Sequence, residues 1–344
     1  MSILSTQLRM ACRVCLAVSA LASYVHAQGN GVVRMEAPLV GLTTNATNTR
    51  VSAIQGVPGA STIGDSIALP AGVNRVFLAP LQRWALVEQG PTRMLGRLSF
   101  QGSTPGSVVP VAGAVSSPLL VSFSSNGRNA ALLSPTRETL QVLSGLADSP
   151  EIAMQCDVSG LDVTAAAISD DGAFPVVLTK AGDLYLLSPG GSRSLLMRTG
   201  SNSAIGFLAS RASLVVADGA AGTVTVIDGL NASFSVRPPI TGLSLSSGAV
   251  FMRGLSDGTA VVLAGSGSRT AYRVDLQDQS VRSLEVPATV SRMDPLSGDA
   301  FLFSANPNQA AWILQADNGN FAAAFAQFAG RSRRVLAFPD TSIK

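Results

Sequence analysis

The segment Ser169-Asp-Asp-Gly-Ala-Phe-Pro-Val-Val-Leu178 runs directly into Thr179-Lys-Ala-Gly-Asp-Leu-Tyr-Leu-Leu187. Residues 174–178 and 184–187 are short runs of β-formers, and a Gly-containing link of turn residues separates them. Asp170-Asp171-Gly172 ahead of them reads as a hairpin turn with Gly at positive φ. The same grammar recurs at 214–216, 223–227 and 260–263, with Gly, Ser, Asn, Asp and Pro between the runs. Amphipathic helices are nearly absent. One competitor is 321–328, where Phe321, Phe325 and Phe328 suit a helical face. Its place in the repeat predicts a strand.

The period comes from the turns. The polar turn between the first and second strand of each unit falls near Gln82, Gly127, Gly172, Arg211, Gly248 and Gly298, at intervals of 45, 45, 39, 37 and 50. A second marker is the third strand of each unit, which starts at Thr139, Asp183, Thr223, Thr270 and Ala310, with steps of 44, 40, 47 and 40. A period near 40–45 with four short strands per unit is the signature of a β-propeller blade. The expected fold is therefore all-β: a seven-bladed β-propeller of four-stranded antiparallel blades in a single domain, 28–344. Its units are about 70–113, 114–158, 159–200, 201–239, 240–287 and 288–330. The seventh is shared between the termini, from 39–67 plus 333–338. On this expectation a chain beginning at Pro70, or one ending at Gly330, loses the closure of the ring.

Two stretches carry a family likeness. Ala167-Ile-Ser-Asp-Asp-Gly172 resembles the Ser-Pro-Asp-Gly hairpin of many bacterial propellers, and Gly222-Thr-Val-Thr-Val-Ile-Asp228 resembles the strand of the YVTN and NHL repeat families. The resemblance implies a secreted bacterial propeller at superfamily level and names no substrate. The WD dipeptide, a full Tyr-Val-Thr-Asn and the tryptophan-docking motif of quinoprotein propellers are absent.

The first 27 residues have the layout of a secretory signal. Arg9 and Arg13 form a basic region, 14–22 is a short apolar run, and Val25-His26-Ala27 places small residues at −3 and −1 before Gln28. The run is short of the ~20 apolar residues that a spanning helix needs. No later stretch is long and apolar enough to give the mature chain a transmembrane helix. Export to the periplasm, cell envelope or medium is expected. Cleavage removes Cys12, Cys15 and His26, which leaves Cys156 as the single thiol and no histidine. It also removes two arginines and no acid, so a net charge of +3 becomes +1. Only 13% of the 344 residues are charged, while 47% are hydrophobic, and that composition argues against disorder. The one dense basic cluster is Arg331, Arg333 and Arg334, so no nucleic-acid partner is expected.

The missing histidine removes Ser-His-Asp and Cys-His arrangements and the commonest ligand for zinc, copper or iron. No metal or other cofactor is expected. Asp170-Asp171-Gly172 lacks the alternating acids and distal Glu of an EF-hand. Gly265-Ser-Gly-Ser-Arg269 lacks the Gly-Lys-Ser/Thr of a phosphate loop. Cys156 has no base nearby in sequence and reads as a small buried side chain. What remains is a binding surface. Loops joining second to third strands gather on one face with the links between blades. They carry Arg137, Lys180, Asp183, Asp218, Arg269 and Asn306, the candidate ligand face. Mixed polar residues there suit a protein or glycan partner. The expected function is a secreted, monomeric binding or scaffold module rather than an enzyme. The alternative is a carboxylate/Arg-based hydrolase or lyase with its site in the central funnel. An outer-membrane barrel fits less well, because these strands are shorter than the ~9–11 residues such a barrel uses.

Overall fold

The computed structural model describes residues 37–328 apart from 58, 201, 232, 246–247, 304–310 and 318–320. They form strands and turns, with no helix among the described residues and hence none long and apolar enough to cross a membrane. In chain order the strands are β1–β3 (Leu39–Thr44, Val51–Val57, Ala60–Ser66), β4–β7 (Val73–Leu78, Trp84–Gln89, Met94–Gln101, Thr104–Pro110) and β8–β11 (Leu120–Phe123, Ala130–Leu133, Thr139–Ser144, Glu151–Asp157). They continue as β12–β15 (Val163–Ile168, Pro175–Thr179, Asp183–Leu187, Arg193–Arg198) and β16–β19 (Ser203–Phe207, Leu214–Asp218, Thr223–Asp228, Ser235–Val236). The last are β20–β23 (Val250–Gly254, Ala260–Gly265, Thr270–Asp275, Val281–Glu285) and β24–β27 (Met293–Pro295, Ala300–Phe303, Ala311–Gln315, Ala322–Phe328).

Each group from β4 to β23 is its own four-stranded antiparallel sheet, as propeller blades require. The group β24–β27 is also antiparallel, but its outer strand β27 continues into β3 by parallel pairing, Ala326 with Ser61 through Phe328 with Ile63. The two ends of the described chain therefore meet in one seven-stranded sheet. Segment 321–328, the helix competitor, is strand from Ala322.

The second strands explain why the sheets stack. β5, β9, β13, β17 and β21 are buried almost throughout. Their apolar residues alternate between two inter-sheet cores. Val215 and Ala217 pack toward β20–β23, while Leu214 and Val216 pack toward β12–β15. Every pair of successive groups from β4 to β27 shares such a core. The group β1–β3 has one on each side. Val40, Ile54 and Ile63 pack with Leu296, Leu302 and Ile313, and Leu42, Val51 and Ala53 pack with Val76, Val87 and Leu98. Cys156 is buried in the core between β8–β11 and β12–β15.

Two expectations need correction or relocation. The turn of the fifth unit is not at Gly248. Strands β20 and β21 enclose Ser256-Asp-Gly258, where Gly258 has φ +66, and Gly248 lies in the link before β20. Residues 333–338, expected to pair with β1, lie outside the described residues. The edge of β1 facing away from β2 is met by side chains. Gln82 takes the Leu42 N–H at 2.6 Å and gives its amide to the Leu42 carbonyl at 2.7 Å. Arg292 donates to the Thr44 carbonyl at 3.0 Å, and Ser297 donates from backbone and hydroxyl to the Val40 carbonyl.

Candidate functional site

The first strands β4, β8, β12, β16, β20 and β24, with Thr44 at the end of β1 and Asn48 in the turn after it, line an open-mouthed channel of about 730 Å³. Its wall is mixed: the half-buried Phe77, Val121, Phe123, Ile205 and Phe251, each packed partly into an inter-sheet core, supply apolar patches between polar residues such as Ser122, Thr164 and Ser203. Arg75 stacks over Phe77 at 4.7 Å and pairs with the fully buried Glu88 at 2.9 Å, which holds that ring in the wall.

The register of the wall follows from the turns. Each first strand ends in a tight turn whose opening residue is Ala79, Ser124, Ser169, Leu208, Leu255 or Leu296. Two residues earlier stand Phe77, Ser122, Ala167, Gly206, Arg253 and Asp294. Arg253 and Asp294 thus occupy equivalent positions on adjacent inner strands, while three of the other four are small. Arg253 is exposed to the channel. Among the described residues it donates one hydrogen bond, from Nη1 to the Met252 carbonyl at 3.0 Å. Burial among the walls lowers its pKa, and the Asp294 carboxylate acts in the opposite sense; a guanidinium nonetheless keeps its charge in a protein. Asp294 forms an ion pair with Arg292 in which Oδ2 lacks hydrogen-bond alignment. Arg292 is further fixed by Thr44 Oγ1 at 2.9 Å.

The rim at the turns is a chain of bonds between neighbouring sheets. Asp170 accepts from the Asn126 N–H and the Ser210 N–H, both at 2.8 Å. Asp299 accepts from Ser256 N and Oγ at 2.7 and 2.9 Å. Asp171 accepts from Ser169 Oγ and the Ala173 N–H. The Asp-Asp-Gly turn therefore does structural work within and between sheets.

The expected loop-face residues are mostly engaged locally. Arg137 pairs with Asp162 at 3.4 Å, Asp183 with Arg198 at 3.0 Å across β14–β15, and Arg269 with Glu285 at 3.5 Å across β22–β23. Asp218 accepts from Thr199 Oγ1 and from the N–H groups of Gly200, Ala220 and Ala221. Burial acts to raise its pKa, but those four bonds outweigh it and hold the carboxyl below the usual range. Lys180 is exposed. Asn306 lies outside the described residues. Sequence reasoning missed Arg253 and Asp294; counting back two residues from the turns where the structure places them isolates both.

No protein-family model and no curated protein sequence matches the chain. Solved structures do. A functionally unknown protein from Desulfotomaculum acetoxidans superposes with a TM-score of 0.56 at 13% identity, covering 84% of this chain and 99% of that one. A candidate 6-phosphogluconolactonase from Bacteroides fragilis gives 0.53 at 11% identity over 86% and 95%. The fold is of the propeller type. The dihydro-heme d1 dehydrogenase NirN in complex with DHE gives a TM-score of 0.50 at 16% identity, over 85% of this chain and 74% of that chain. At these identities the likeness speaks for the propeller fold alone, and no functional residue carries over.

Proposed function

We propose that the chain is an exported, seven-bladed propeller that binds a ligand in its central channel and carries out no reaction on it. The observation that carries this reading is the channel itself: an open-mouthed lumen of about 730 Å³ with walls of mixed apolar and polar residues, lined by Arg253 and Arg292, of which Arg253 makes a single hydrogen bond to the described residues. Pockets of this size with a few convergent polar groups are the usual seats of small ligands. The hydrolase or lyase reading has less support. A general acid or base must be free to exchange a proton, whereas Asp294 is paired with Arg292 and Asp299 is held by Ser256. A protein or glycan partner at the loop face also has less support, because four of its charges are engaged within the chain. The blade count draws on β1–β3, which share one core with β4–β7 and another with β24–β27 and so act as a three-stranded seventh blade joined to β24–β27 through the β3–β27 pairing. Export draws on the leader before Gln28, and likeness to the YVTN and NHL families on 167–172 and 222–228.

The test is a thermal-shift panel of small organic ligands and oligosaccharides on the protein starting at Gln28, with mass spectrometry of the recovered ligand. A binding module is stabilised by one ligand class and returns it unchanged. No shift with any class, or recovery of a converted ligand, contradicts the proposal.

A further inference from the structure

We infer that the channel holds a small organic anion with an apolar body, its charged head seated on Arg253. This rests on the reading of the channel as the ligand seat and says which chemistry that seat selects.

Three features of the wall converge. First, a guanidinium has five N–H donors in a planar fork, and Arg253 uses one of them, on the carbonyl of Met252 next to it in the chain. The remaining donors suit a carboxylate or sulfonate, which accepts two parallel bonds from one fork. Second, the two carboxylates that line the channel are already engaged: Asp294 is paired with Arg292, and Asp299 accepts from Ser256 N and Oγ, so neither is given over to the Arg253 fork. Third, Ser122, Ala167 and Gly206 stand at the same level on other inner strands, so space is left beside the fork. The half-buried Phe77, Phe123, Ile205 and Phe251 supply apolar wall for the rest of the molecule. A bare inorganic ion would leave that wall uncovered, and a neutral ligand would leave the fork unanswered.

The probes are anilinonaphthalene sulfonate and phenylnaphthylamine, the same ring system without the sulfonate, titrated by fluorescence onto the natively folded protein starting at Gln28. The sulfonate binds one site about tenfold or more tighter than the neutral dye, the scale of a charge-assisted bond. Arg253→Gln removes most of that advantage and leaves the neutral dye unchanged. Arg253→Lys, which keeps the charge but not the fork, retains part of it, and Asp294→Asn tightens the sulfonate. Inorganic phosphate competes weakly. Equal affinities for the two dyes, or an Arg253→Gln protein that binds the sulfonate as well as the parent does, overturn the anion inference and leave the channel reading standing. Phosphate displacing the dye as effectively as an aryl sulfonate overturns the apolar half. Dye binding that survives Ala165→Trp, which fills the lumen, overturns the channel reading itself.

Discussion

Replacing Gln82 with Ala removes a side chain that ties β1 to the end of β24, beside the bonds that Arg292 and Ser297 make to the same strand. Its amide takes the Leu42 N–H and serves the carbonyls of Leu42 and Pro295, at 2.6, 2.7 and 2.6 Å. Leu42 is 1% exposed, so no bulk water waits behind those groups. Leaving a buried backbone group without a partner costs about 1–3 kcal/mol. Three such groups, discounted for water reaching Pro295 from the channel, cost roughly 3–5 kcal/mol in total. Unfolding about 300 residues carries an entropy near 0.6 kcal/mol per degree, so the midpoint falls by about 5–8 °C. Ala retains the fold of the turn better than a β-branched residue would, because position 82 has φ +55. Gln82→Glu is the sharper variant: at neutral pH it keeps the acceptor for Leu42 N–H but turns an acceptor toward two carbonyls, and it melts at least as low as the Ala form. Gly41→Ala attacks the same joint, since a Cβ there would stand 2.6 Å from Gln82 Oε1. Its cost shrinks in the Gln82→Ala background, a coupling that a double-mutant cycle measures. Differential scanning calorimetry of the single and double variants decides the matter. A Gln82→Ala protein melting within about 1 °C of the parent would mean that these three bonds do not hold β1 in place.

Asp218→Asn lowers the melting point at pH 7 by roughly 2–4 °C, because four bonds to a carboxylate become bonds to an amide. A carboxyl whose folded pKa lies below its unfolded value stabilises above about pH 4, and that contribution is lost as pH falls through the folded pKa. The gap between parent and variant therefore closes in acid, and a gap that widens below pH 4 contradicts the assignment. A chain beginning at Pro70 loses β1–β3. Val40, Leu42, Val51, Ile54 and Ile63 each contribute about 1.5–3 kcal/mol of burial, together a large part of a typical stability of ~5–15 kcal/mol. It is insoluble or melts far lower than the chain from Gln28, and a soluble monomer melting within a few degrees overturns the closure. A chain ending at Gly330 keeps β27 but loses 333–338, the expected closing strand; it too is insoluble or melts far lower than the chain from Gln28, and a soluble monomer melting within a few degrees shows that 333–338 is not needed to close the ring.

The repeat was legible because its punctuation is physical. Gly127 and Gly172 sit at φ +68 and +75 in the turns that set the period, and the third strands start where Thr139, Asp183, Thr223 and Thr270 place them. Ser-Ser-Gly-Ala at 246–249 has the same turn chemistry, but its Gly248 lies in the link before β20, so composition could not separate it from the true turn at Ser256-Asp-Gly258. That ten-residue displacement also hid the site. Arg253 stands two residues before Leu255, which opens the true turn, and five residues past Gly248, so a count made from Gly248 does not find it. The loop face was overread for the opposite reason. Asp183 and Arg269 look free along the chain, but strand register sets Arg198 and Glu285 beside them. Cross-strand partners are a property of pairing, and no local pattern reveals them.

The channel as ligand seat is tested most directly by a crystal of the protein soaked in iodobenzene sulfonate, with the iodine located by its anomalous signal. One iodine peak is expected inside the channel, between the walls formed by Phe123 and Phe251, with the sulfonate within hydrogen-bond reach of Arg253. Iodine found only on the outer loops, beside Lys180 or between sheets, with the channel holding water alone, contradicts it.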